Sequence, residues 1–108
     1  MSPESMKDLV IEAISKSKCS HGDRERLLHD LLARPEKDLV TLDEFHAGIS
    51  NLSPRQYVVW FITRLDPQSV FFDENTGQFG SCWGPEKETG QYTDLGYRSK
   101  DPVEMYLV

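Results

Sequence analysis

Met6, Leu9, Val10, Ala13 and Ile14 recur at helical spacing near the start of the chain, leaving one apolar stripe among polar residues. Ser2 suits the cap of that helix and Pro3 its first turn. After the polar break Ser17-Lys18-Cys19-Ser20, a second helix is predicted over 21–34, with Leu27, Leu28, Leu31 and Leu32 inward and Pro35 ending it. Thr41-Leu42-Asp43-Glu44 has the form of a capping box and predicts a short third helix with Leu42, Phe45 and Ile49 inside. Ser53-Pro54-Arg55-Gln56 repeats that start signal ahead of the most apolar run, Tyr57-Val58-Val59-Trp60-Phe61-Ile62. Its β-branched and aromatic content equally suits a buried strand, but the start signal favours a central helix.

Beyond Asp66-Pro67 the period changes. Ser69–Asp73 and Gln78–Trp83 are short β-type runs, and the intervening Glu74-Asn75-Thr76-Gly77 suits a hairpin turn with its glycine in the left-handed conformation. Residues 85–93 form a polar loop, and Val103–Val108 is expected to add a last strand. The pattern predicts one α+β domain over 1–108: a bundle of three to four helices (1–65), then a small antiparallel sheet made of hairpin 69–83 and a terminal strand.

Charge changes this picture by excluding some partners. The chain carries a formal charge of −6, and residues 66–108 hold eight acidic against three basic side chains. Nucleic-acid binding needs clustered cations, so any charged partner is expected to be a basic protein attracted to the C-terminal part. No apolar run reaches membrane-span length, and the first residues lack the basic and apolar regions of a secretory leader. With Cys19 and Cys82 read as reduced thiols, a cytoplasmic location is expected.

Gly80-Ser81-Cys82-Trp83 resembles the signature around the nucleophile of papain-like cysteine proteases. That resemblance would imply a helix opening at Cys82 and a His and Asn far downstream. Here Gly84-Pro85 follows at once, Phe79 stands where the signature has a cysteine, and His21, His29 and His46 all lie upstream. A packed apolar thiol is therefore the expected role of Cys82. The loop from Asp73 lacks the glycine and glutamate positions of an EF-hand, and Cys19, His21, His29 and Cys82 lack zinc-ligand spacing, so neither a metal nor a cofactor is expected. The segment 41–60 has the outline of a helix-turn-helix, but its reading helix offers just Arg55 and Arg64 for phosphate contact in an acidic protein.

What remains is a surface. Asp73, Glu74, Trp83, Glu86, Glu88, Tyr92, Asp94 and Tyr97 combine acids with amphipathic aromatics on turn-rich backbone, the mixture that suits a protein interface. The function expected is non-enzymatic: an inhibitor of the bacterial immunity or antitoxin type that covers a basic toxin, such as a nuclease, with this surface. The alternatives are a small Cys82-dependent hydrolase or transferase, and a regulatory adaptor that binds through its helices.

Overall fold

A computed structural model describes residues 1–49 and 53–108. Its element order is α1 (Pro3–Ser15), α2 (His21–Asp30), β1 (Glu36–Leu42), α3 (Glu44–Ile49), β2 (Arg55–Phe61), β3 (Gln68–Asp73), β4 (Gln78–Trp83), β5 (Thr93–Asp94) and α4 (Pro102–Leu107). The five strands close into a barrel in sequence order. The expected helical bundle followed by a small α+β sheet is therefore corrected to a closed β-barrel with short helices packed on its outside. Neighbouring strands are antiparallel except at the seam, where β5 runs parallel to β1 at Thr41↔Thr93.

Two sequence signals misled that expectation for identifiable reasons. The run 57–62 is uniformly apolar because Trp60 and Ile62 are covered by the helices while Val58, 51% exposed on the same outer face, is itself apolar, so no polar position marks the alternation of a strand. Tyr57, Val59 and Phe61 face the barrel interior, whereas Trp60 and Ile62 face the helices. At the C-terminus, the run expected to be a strand is α4. Asp101 caps it by accepting from the Val103 amide at 2.9 Å, and Pro102 occupies its first turn.

Smaller corrections follow the same logic. Helix α2 stops at Asp30 instead of reaching Arg34, because Leu31 turns extended and the Leu32 amide bonds to the Ile62 carbonyl at 2.9 Å. Strand β1, whose charged start Glu36-Lys37-Asp38 concealed it, ends at Leu42, so this leucine lies in the sheet and not inside α3. Phe45, expected inside, is 78% exposed. The helical break read at 48–51 falls partly on residues 50–52, outside those described. No helix follows it, so the helix-turn-helix outline dissolves. Helix α1 buries Met6, Val10 and Ile14, and strands β3 and β4 pair from Gln68↔Trp83 to Asp73↔Gln78 across a turn with Gly77 at φ 69°.

The barrel divides the core in two. Its interior holds Val40, Val59, Phe61, Phe71 and Cys82, while Trp60, Ile62, Val70, Phe72 and Phe79 on its outer wall pack against α1, α2 and α4. One glycine makes the interior possible. A Cβ on Gly80 would stand 2.6 Å from the Phe71 ring and 2.8 Å from the Arg98 guanidinium, so its missing side chain accommodates both. Gly80→Ala is expected to lower stability by about 1–3 kcal/mol, as overpacking of a filled core does, measurable as a lowered urea midpoint.

Candidate functional site

Arg98 enters the barrel from the segment after β5 and meets groups from three strands. Its side chain is 4% exposed, and those of Asp73 and Asp94 are fully buried. The guanidinium donates to Asp94 at 2.7 and 3.0 Å, to Asp73 at 3.2 and 3.3 Å, and to the Tyr57 hydroxyl. Tyr57 in turn donates to Asp94. Backbone amides complete the set: Asp94 Oδ1, which also accepts from Arg98, accepts from Gly96 at 2.8 Å, and Asp73 Oδ1 accepts from Asn75 at 2.9 Å. Beneath, the guanidinium carbon lies 5.0 Å from the centre of the Phe71 ring. Burial works against the cation, but Asp94, Tyr57 and Asp73 outweigh it and hold the Arg98 pKa above its usual value. Burial and the Asp94 carboxylate likewise push the Tyr57 phenol up.

A second arginine closes the other end of β2. Arg64 lies 3.9 Å from the Phe61 ring centre and 5.3 Å from that of Tyr92, and it pairs with Glu36 at 3.1 Å and Asp38 at 2.9 Å on β1. Both arginines bind strands to one another. Neither offers a free donor set to a ligand.

The residues singled out from the sequence therefore separate into two groups. Asp73, Asp94 and Tyr92 turn inward: the acids hold Arg98, and the Tyr92 ring meets Phe61 edge-on at 4.9 Å. Glu74, Trp83, Glu86, Glu88 and Tyr97 stay outside, although two of these acids are engaged. Glu74 accepts from the Trp60 indole at 2.7 Å. Glu86 accepts from the Thr89 hydroxyl and amide, which lower its pKa. Glu88 is exposed.

The barrel register shows what stands beside Trp83. Gln56, Thr41, Thr93, Trp83 and Gln68 are successive cross-strand partners and share the outer face. Two residues along β1 lies the exposed pair Leu39↔Val58. Leu39, Val58 and Trp83 are 46%, 51% and 47% exposed, on a wall that the helices leave bare. Sequence reasoning missed Leu39 and Val58, because Val58 was placed in a helix and β1 was not read. Arg98 was missed too, although it is one of only three cations after residue 65.

Cys82 sits in the barrel interior, fully buried, with its thiol pushed up to about 12 by burial and by Asp94. His46 bonds Asp43 at 2.8 Å, His21 lies 3.9 Å from Glu25, and neither pairs with Cys82. Cys19 instead lies 3.9 Å from Asp101, so the candidate zinc set is not brought together. No group of three metal-binding side chains gathers among the described residues. No helix among them is long and apolar enough to cross a membrane. No family model, curated protein or solved structure matches the chain.

Two outcomes test this description. Arg98→Met leaves two carboxylates buried without their cation and is expected to cost about 3–5 kcal/mol in denaturant unfolding, with Arg98→Lys recovering part of it. The Cys82 thiol, protonated in the fold, ionises once unfolded from its ordinary 9.0 upward. The Cys82 contribution to stability is therefore complete below pH 9.0 and is lost between there and about 12, so Cys82→Ala should flatten the fall seen in denaturation series at pH 8 to 11, leaving the part that the raised Tyr57 phenol adds above its ordinary 10.0.

Proposed function

We propose that this is a non-enzymatic binding protein of the immunity or antitoxin type, which occludes a basic toxin such as a nuclease and acts in the cytoplasm. The observation that carries the reading is the bare barrel wall, where Trp83, Leu39 and Val58 stand exposed on rigid, paired strands. A tryptophan on such a scaffold loses little entropy when covered, which is why aromatic anchors concentrate binding energy. The formal charge of −6 favours encounter with a cationic partner, and Glu86 and Glu88 lie shortly after Trp83 in the chain, beyond Gly84-Pro85.

The burial of Asp73 and Asp94 sharpens the reading. The contact surface is more apolar than the sequence implied, with acids at its rim. Charge then governs the rate of encounter, and the aromatic anchor governs how long the complex lasts.

The test is co-expression with the product of the adjacent gene. A stable complex is expected. Trp83→Ala should weaken it at least about thirtyfold, mostly through faster dissociation, as loss of an anchor worth about 2 kcal/mol does. Added salt should slow association. Absence of a complex at low salt, or one indifferent to Trp83→Ala, would sink the proposal.

A further inference from the structure

The C-terminal half of α1, the β3–β4 turn and residues 99–104 enclose an open groove of about 620 Å³, within the range of small-molecule sites. It lies at the Gly77 end of β4, whereas Trp83 ends that strand, so it is separate from the bare wall. Its floor is apolar. Leu9 and Ala13 come from α1, and Phe72 and Phe79 meet edge-to-face at 5.1 Å.

The polar lining is asymmetric in what it leaves unused. Glu12 is paired with Lys16 at 3.0 Å, and Asp101 and Glu104 keep their charge but are held in place by the Ser17 and Ser99 hydroxyls at 2.7 and 2.9 Å. Lys18 and Lys100 also line the groove, are exposed, and have no hydrogen-bond or ion-pair partner among the described residues. Two free ammonium groups above an aromatic and aliphatic floor fit a molecule with one anionic end and an apolar body. A neutral apolar ligand would leave both cations unused, and a bare inorganic anion would leave the half-buried Leu9 and Ala13 side chains uncovered beside the edges of Phe72 and Phe79.

The geometry points to a binding site for a small amphipathic organic anion, such as a medium-chain or aryl carboxylate, held by Lys18 and Lys100 with its apolar part against Phe72 and Phe79. The site does not depend on the docking role of the bare wall.

Titration of ¹⁵N-labelled protein with octanoate tests it. Saturable amide shifts are expected at Gly77, Ser99 and Lys100, with 1-octanol and inorganic phosphate each binding at least about tenfold more weakly. The double variant Lys18→Gln/Lys100→Gln, which touches only exposed side chains, should weaken octanoate about tenfold or more with an unchanged circular dichroism spectrum. Trp83→Ala should leave octanoate binding as it is. Equal binding of octanoate and octanol, equal binding of phosphate, shifts that do not saturate, or an undiminished affinity in the lysine variant would each overturn the assignment.

Discussion

One guanidinium holds the ends of this barrel together. Arg98 joins Asp73 at the end of β3, Asp94 in β5 and Tyr57 in β2, strands that are not all neighbours in the sheet. A planar cation with five donors can bridge three such groups at once, which an ammonium cannot do. The cost of desolvating the charges is offset only because nearly every oxygen has a donor, two of them backbone amides. The rest of the molecule conforms to that junction. Gly80 lacks a side chain because the guanidinium and the Phe71 ring fill its place, and the 94–98 segment must turn back to carry Arg98 inward.

The closed barrel also determines which surfaces are available. A small barrel filled by its own side chains has no internal cavity to offer, so any recognition falls on the outer wall or between the wall and the helices. Helices α1, α2 and α4 cover the wall formed by Trp60, Ile62, Val70, Phe72 and Phe79. The opposite wall is bare, and Leu39, Val58 and Trp83 face outward there. The groove arises where the covering is incomplete, along the margin of α1.

Local structure was legible in the sequence where one residue's chemistry decides it. The Ser2–Pro3 start of α1 and the glycine turn between β3 and β4 are of that kind. Architecture was not legible, because it depends on which faces get covered. Tyr57–Ile62 carries no polar alternation, because the helices cover Trp60 and Ile62 and the exposed Val58 is itself apolar, and Ser53-Pro54 imitates a helix start where β2 follows instead. The site was half legible for a related reason. Trp83 and Glu88 are exposed as a turn-rich acidic segment suggests, but Asp73 and Asp94 were counted as surface charge when a distant arginine had claimed both. A carboxylate ending an apolar run such as Val70-Phe71-Phe72-Asp73 is a signal that some cation must be found for it.

The brevity of β5 has a consequence of its own. A strand of two residues closes the sheet, meeting β1 only at Thr41↔Thr93 and β4 at Cys82↔Asp94 and Trp83↔Thr93. If that short seam parted, two strand edges would appear together, both long enough to recruit copies of themselves. Thr93 and Asp94 thus join two strand edges at which another strand could otherwise pair, and the arginine that holds Asp94 inward anchors that junction.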